Sequence, residues 1–521
     1  MLRKTALTVT AAFILILVIG LTFSPGAAQE DVLDEVKTLL RMQYVEPLPE
    51  EKLEGETIQE VLDNIDDPYT DHLTREEYRD YLDSIDNDFS GIGVYFEMVE
   101  EGVMVTSVMP DTPAEEAGVK AGDIIVEAAG ESLEGASNEK AVRLITGPEG
   151  TEVELKIQRE DREGLIELVV TRSQIEVPSV MGELLGEDIG YLELLSFGEQ
   201  TPQKFEEHYL DLKEQGADKW VVDVRYNSGG YLHAALEIAG YFLNGDPATR
   251  VKNYNLDIED TLEAEPADYS VEGPVIMLTN EYSASASEIL AAALKDHGEG
   301  FLVGETTFGK GSVQSPYRLS DDSYLIMTVN YFYSPDGTTI NEVGVDPQLD
   351  LQGMEGEEFL QAAELLLSGK EREADTTRLG YDDNWEFDIC LEAAREPENW
   401  PVFHRLVEEM GVEESRDYFY PEHRLIKEME NIEKDHRFAI TFSHPVDRDT
   451  VDRESIRLVN QTEGESIDLS FEFSEDKKEV KVITGEEMTP GEDYWLLIEQ
   501  EITGKKGERL SQPGLVEVPV E

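Results

Sequence analysis

The spacing of apolar positions changes character several times along the chain. Between residues 31 and 88 it is helical: Val32, Val36, Leu39 and Leu40 recur at that spacing, then Ile58, Val61, Leu62 and Ile65. Pro47 and Pro49 interrupt the first group, and Asp66-Asp67-Pro68 ends the second. Thr74-Arg75-Glu76-Glu77 has the capping-box form that opens a third helix over 76–85. Residues 89–175 switch to short strands, over 93–97, 103–108, 123–128, 151–158 and 165–171, with one helix over 138–145. From 176 to 350 strands alternate with helices: strands over 189–194, 220–224, 275–279, 301–304 and 324–331, helices over 202–215, 231–243 and 286–296. That alternation implies a mixed or parallel sheet with crossovers. Trp220 to Val224 and Val275 to Thr279 are near-continuous apolar runs, as in central strands covered on both faces. Residues 351–430 read as helical and very acidic, with 359–367 the clearest amphipathic stretch. Strand-sized segments return over 437–442, 456–459, 467–473, 479–483 and 494–498, which implies a small β-sandwich.

Composition narrows the function. The 521 residues carry 42 Lys plus Arg against 114 Asp plus Glu, a net charge of −72. Nucleic-acid binding needs a basic footprint, so it is excluded. A polybasic grip on anionic lipid is excluded for the same reason. The acids are spread along the chain rather than gathered in a tail, so they coat a folded surface, and screening of that self-repulsion favours a high-salt environment. Cys390 is the single cysteine, so no disulfide framework and no CxxC zinc site can form within the chain.

At the N-terminus, Arg3 and Lys4 precede an apolar run from Ala6 to Phe23, followed by the small residues Gly26, Ala27 and Ala28. Residues 1–28 therefore read as a secretory signal or a membrane anchor, and both place the remainder outside the cytoplasm. The helices over 29–88 are expected to pack on themselves or on a second copy of the chain, which leaves a homodimer open.

Three segments carry candidate chemistry, each a loop at the end of a strand. Asn280 to Leu290 joins a buried strand to a helix, so a serine there, Ser285, would stand at a helix N-terminus where free N–H groups favour an oxyanion. The plainer reading of such a serine is an N-cap. Thr306 to Gln314 places Lys310 between two glycines, and a desolvated lysine can act as a neutral base. Gln314 would share a face with Lys310 in an extended chain and could orient its amine. Asp223 to Leu232 contains Gly229 and Gly230, whose backbone N–H groups suit an oxyanion hole. Asn227-Ser228-Gly229-Gly230 also looks like the nucleophile of a trypsin-like protease, but the surrounding elements are α/β and no His motif precedes it.

Together these segments resemble the carboxyl-terminal processing proteases, S41 serine peptidases with a Ser–Lys pair. The matching stretches are S-A-S-A-S-E-I at 283–289, T-F-G-K-G-S-V-Q at 307–314 and D-x-R-x-N-x-G-G at 223–230. The β-rich module resembles a PDZ domain, and residues 438–447 and 490–498 resemble bacterial Ig-like domains. The resemblance implies a multidomain α/β + β protein. Its domains would be a leader over 1–28, N-terminal helices over 29–88 and a PDZ domain over 89–175. A mixed α/β core of crotonase-like or ClpP-like type would follow over 176–370, then an acidic helical linker over 371–432 and an Ig-like β-sandwich over 433–521. It implies Ser285 as nucleophile, Lys310 as base and Gln314 as the residue orienting it. The oxyanion hole would use the amides of Ala286 and of Gly229 or Gly230. Gly91, Ile92, Gly93 and Val94 would receive a substrate's C-terminal carboxylate. Asp296 would be structural support, and Thr146 stands where many relatives carry an arginine linked to gated activation, with Arg143 one turn earlier. No metal or cofactor is implied. The expected partners are proteins or peptides with a free C-terminus, and the alternative is an inactive PDZ and Ig-like binding scaffold.

Overall fold

The computed structural model describes residues 28–521 apart from 87, 160, 161, 163, 355, 370–375, 383 and 412–414. The leader expected at the N-terminus lies outside the described residues. No described helix is long and apolar enough to cross a membrane. The described residues divide into two compact units, one within 28–78, 254–256 and 314–329, the other within 79–253, 257–313 and 330–521.

In the first unit, the helix Ala28–Gln43 buries Val32, Val36 and Leu40. The helix Ile58–Ile65 buries Val61, Leu62 and Ile65, and the Thr57 hydroxyl caps it by accepting the Glu60 amide. Thr74 and Glu77 exchange the two capping-box bonds, 2.8 and 3.2 Å, that start the next helix. The strand Asp71–Leu73 pairs antiparallel with the stretch Tyr324 to Ile326.

In the second unit, strands Asp88–Gly91 and Ser173–Glu176 pair antiparallel and form the two ends of an inserted module. Between them lies a sheet built on Val94–Val99, Gly102–Val108, Ile124–Ala128, Glu152–Gln158 and Ile166–Thr171. Alternate residues such as Val153, Leu155 and Ile157 face its core. The helix Asn138–Ile145 is capped by the Ser137 hydroxyl at its start. At its end the buried Arg172 donates to the carbonyls of Leu144 and Ile145, both at 2.9 Å.

The mixed α/β core is a six-stranded sheet. We label its elements β1 (Val180–Leu185), β2 (Ile189–Leu194), α1 (Thr201–Gln215), β3 (Lys219–Asp223), α2 (Leu232–Leu243), β4 (Val275–Thr279), α3 (Ala286–His297), β5 (Phe301–Gly304) and β6 (Leu349–Asp350). The strand order is β1-β2-β3-β4-β5-β6, parallel except for the antiparallel β1–β2 pair. Val222, Met277 and Leu302 face a core with α1, α2 and α3. Val221, Ile276, Leu278 and Val303 face the opposite core, shared with the helix Gly356–Leu367. Cover on both faces is the reason β3 and β4 read as unbroken apolar runs.

Within 371–432, expected as a helical linker, the described residues are built differently. Thr376–Tyr381 and Trp385–Cys390 form an antiparallel hairpin, and only then come the helices Leu391–Ala394, Trp400–Glu409 and Arg416–Phe419. Leu379, Phe387, Ile389, Trp400, Phe403 and Phe419 belong to the same core as β3, β4 and β5. The acidic side chains are interleaved with this apolar face at the period of a strand, so net charge concealed a packed element. The C-terminal residues form a five-stranded and a three-stranded sheet around one further core.

Candidate active site

Parallel strands align their C-terminal ends, so the loops after β3, β4 and β5 emerge along one edge of the sheet, where open α/β sheets place ligands. Three serines follow β4 in alternation. Ser283 is buried, and its hydroxyl donates to the Val224 carbonyl at 2.8 Å while accepting the Asn280 amide at 3.0 Å. Ser287 is buried and donates to the Asn227 carbonyl at 2.9 Å. Ser285, half-exposed, occupies the N-cap position of α3 with φ +56° and ψ −111°. Non-glycine residues rarely hold such a conformation, at a cost of about 1–3 kcal/mol, unless the surroundings impose it.

The surroundings do impose it. Asn227, fully buried in the loop after β3, donates to the Leu194 carbonyl at 2.7 Å and accepts the Gly229 amide on its side-chain oxygen at 2.8 Å. Its own carbonyl accepts the Ala284 amide at 3.0 Å. Gly229 has φ +102°, and a Cβ there would lie 2.7 Å from the Ala284 carbonyl oxygen and 2.8 Å from Ser285 Cβ. Only glycine lets this turn press against the serine. Asp223, at the end of β3, is held in turn by Arg225 at 2.6 Å and by the Tyr191 hydroxyl at 2.9 Å. Burial, together with the Asp223 charge, pushes the Tyr191 phenol well above its ordinary range.

The loop after β5 is fastened by Glu288, which is fully buried in the first turn of α3. One carboxylate oxygen accepts the Thr307 hydroxyl at 2.6 Å and the Gly309 amide at 2.7 Å. The other accepts the amides of Ser285 and Lys310, both at 2.8 Å. Two 2.8 Å bonds to one atom hold the backbone nitrogens of Ser285 and Lys310 within about 5.6 Å of each other. A lysine side chain spans that separation. Burial pushes the Glu288 carboxyl above its ordinary range, opposed by the hydrogen bonds it accepts.

Of the other candidates, Ala286 is the first residue of α3, so its N–H has no intrahelical acceptor. The Gly229 amide is committed to the Asn227 side-chain oxygen at 2.8 Å, and Gly230 follows it with φ +150°. Gln314 lies in the first compact unit, where its side-chain amide donates to the Thr328 hydroxyl at 3.3 Å. Ser228 is exposed on the glycine turn, and the parallel sheet rules out a trypsin-like fold for it. Asp296 is about 16 Å along α3 from Ser285 and accepts the Asp336 amide at 2.9 Å. In the inserted module, Gly91 ends one strand, Val94 begins the next, and Ile92 and Gly93 link them. The Ile92 carbonyl accepts the Ala114 amide at 2.8 Å and the Gly93 carbonyl accepts the Met109 amide at 3.1 Å. Gly93 has φ +82°, and a Cβ there would collide with the Thr112 side chain. Sequence reasoning missed Glu288, Asn227 and Thr307. Glu288 had a readable signal, since Ser285-x-x-Glu288 has capping-box spacing.

A mixed α/β core with a serine at a strained strand-to-helix junction, a lysine loop clamped beside it and an inserted β module defines a class: serine peptidases that carry a PDZ domain. Residues 188–351 match Peptidase family S41, and residues 104–159 match the PDZ domain. The chain is 31% identical to carboxy-terminal processing protease CtpA of Bacillus subtilis (strain 168), over 63% of this chain and 70% of that protein. It is 33% identical to CtpB of the same strain, over 62% and 68%. It is also 33% identical to a carboxy-terminal-processing protease of Bartonella bacilliformis, over 63% and 75%. The chain belongs to the carboxy-terminal processing protease family and is a serine peptidase.

Proposed function

We propose that the protein is an exported endopeptidase that cleaves polypeptides after its PDZ module captures their C-terminus, with Ser285 as nucleophile and Lys310 as general base. Lys310, uncharged, takes the proton of the Ser285 hydroxyl as its oxygen attacks the scissile carbonyl. The amides of Ala286 and Gly230 receive the negative charge that develops on the carbonyl oxygen. The C–N bond breaks, the amine leaves with the proton held by Lys310, and an acyl-enzyme remains. Water, deprotonated by the same lysine, then releases the acid and restores Ser285. The backbone from Gly91 to Val94 offers its groups to the substrate carboxylate. The Glu288 clamp, which holds the main chains of Ser285 and Lys310 side by side, is the observation that carries this reading.

The basic and apolar residues at the N-terminus support export. The two C-terminal sheets around one core support an Ig-like β-sandwich that acts as spacer or binder. The test is incubation with a protein bearing an unstructured apolar tail, read by mass spectrometry. Wild type should release defined fragments, while Ser285→Ala and Lys310→Ala should release none and unfold at the wild-type temperature. Full cleavage by both variants would overturn the assignment.

A further inference from the structure

We propose that Tyr226 and Tyr282 form a subsite that receives a positively charged side chain, lysine or arginine, of the polypeptide being cleaved; this rests on the reading of Ser285 as nucleophile. The two rings stack, with centroids 5.5 Å apart and planes 20° apart. They do so in water, Tyr226 being 68% and Tyr282 54% exposed. A tyrosine pair that buried its faces would need no further account. This pair adds nothing to a core, yet it is built with care. The main-chain amides of both residues donate to one oxygen, the side-chain carbonyl of the buried Asn280, at 3.0 and 3.1 Å. Tyr226 also holds φ +62°, a left-handed conformation uncommon for a bulky residue.

The pair adjoins the candidate chemistry on both strands that carry it. Tyr282 precedes Ser285 by three residues. Tyr226 precedes Gly229 by three, and Gly229 abuts Ser285 Cβ. The charge around the rings selects the occupant. Glu281 directly precedes Tyr282 in the chain, and the Glu305 amide donates to the Thr279 carbonyl at 3.0 Å, which brings a second carboxylate to the start of the loop that carries Tyr282. Asp350, the register partner of Gly304 at the ends of β5 and β6, adds a third carboxylate next to Glu305. Tyrosine faces attract a cation through their quadrupole, and a carboxylate rim adds to that attraction while repelling acidic side chains. A net charge of −72 steers cationic segments toward the protein in the same sense.

The test uses quenched fluorescent peptides that share one apolar C-terminus and differ in one residue, Lys, Arg, Leu or Glu, at each position flanking the scissile bond. At one of those positions wild type should cleave the Lys and Arg peptides with kcat/KM roughly tenfold above the Leu peptide, and the Glu peptide most slowly. Tyr282→Ala and Tyr226→Asn should flatten that ratio, Tyr282→Phe should keep it, and 1 M salt should shrink it. Should the alanine variant fail to fold, Glu305→Gln, which leaves both rings in place, should lower the ratio. Equal cleavage of all peptides by wild type, or a Lys and Arg preference unchanged in these variants, would overturn the proposal. A Leu preference abolished by Tyr282→Ala would assign the pair to apolar side chains instead and would also overturn it. If wild type cleaves no peptide, or Ser285→Ala cleaves them all, it is the catalytic reading that fails.

Discussion

Glu288→Gln removes a charge from the site and leaves its shape almost intact. The carboxylate takes four donors on two oxygens: Thr307 and Gly309 on one, Ser285 and Lys310 on the other. A glutamine offers one oxygen. If it faces the amides of Ser285 and Lys310, its NH₂ group faces the Thr307 hydroxyl, which can turn and accept, and the Gly309 N–H, which cannot. One buried amide then lacks an acceptor, at about 1–3 kcal/mol, and each of the two retained bonds loses charge assistance, about 1 kcal/mol apiece. The total of about 3–5 kcal/mol falls on the two loops that carry Ser285 and Lys310. At about 2–4 °C per kcal/mol, the melting temperature of the core should fall by roughly 6–20 °C. A slip of about 1 Å between nucleophile and base is worth about 10² in rate, so kcat/KM should fall at least that far. Calorimetry and steady-state cleavage of a quenched peptide measure the two effects. The pH profile separates them from a general loss of fold. Because burial pushes Glu288 above its usual value of 4.5, wild-type activity should decline with falling pH before an ordinary glutamate would titrate, since a protonated Glu288 resembles the glutamine. The Glu288→Gln variant should keep the decline that comes from protonating Lys310 and lack the further one that comes from protonating Glu288. Wild-type kcat/KM and melting temperature in the variant would refute the reasoning.

Two further outcomes are expected. The buried His423 lies between Glu422 and Glu499, each 3.2 Å from a ring nitrogen, with Arg395 at 3.1 Å from Glu422 and Arg457 at 2.9 Å from Glu499. Burial pulls His423 down, but the two carboxylates outweigh it and raise it above 6.5. The imidazolium therefore stabilises the fold fully below pH 6.5, and that stabilisation disappears as pH rises through the raised folded value. His423→Gln should lower stability by about 3 kcal/mol at acidic pH, with the difference from wild type closing on the alkaline side; a pH-independent difference in thermal scans would contradict this. Gly229→Ala should depress kcat/KM by two orders of magnitude or more. Its Cβ would meet Ser285 Cβ at 2.8 Å in a left-handed backbone, and an active alanine variant would show that the turn does not support the serine.

Much of this protein follows from neighbours in the chain. The helix Asn138–Ile145 and the strands Ile189–Leu194, Val275–Thr279 and Phe301–Gly304 lie where apolar spacing places them, because each is decided by faces and turns within a few residues. The motifs around Ser285 and Lys310 were legible for the same reason. Elements that depend on a distant partner were not. The strand Ile258–Glu263 is exposed at almost every position, so it has no buried face to read, and it is a strand because Pro247–Asn253 supplies its hydrogen bonds. The hairpin within 376–390 was hidden by its acids until it met the far face of the sheet. At the site, composition could not say which of three alternating serines is presented, or which glycine amide is already engaged. A glutamate in the first turn of a helix is ordinary in sequence. It becomes the clamp between Ser285 and Lys310 only when a loop about twenty residues away folds over it, since convergence of donors on a buried charge is a property of three dimensions.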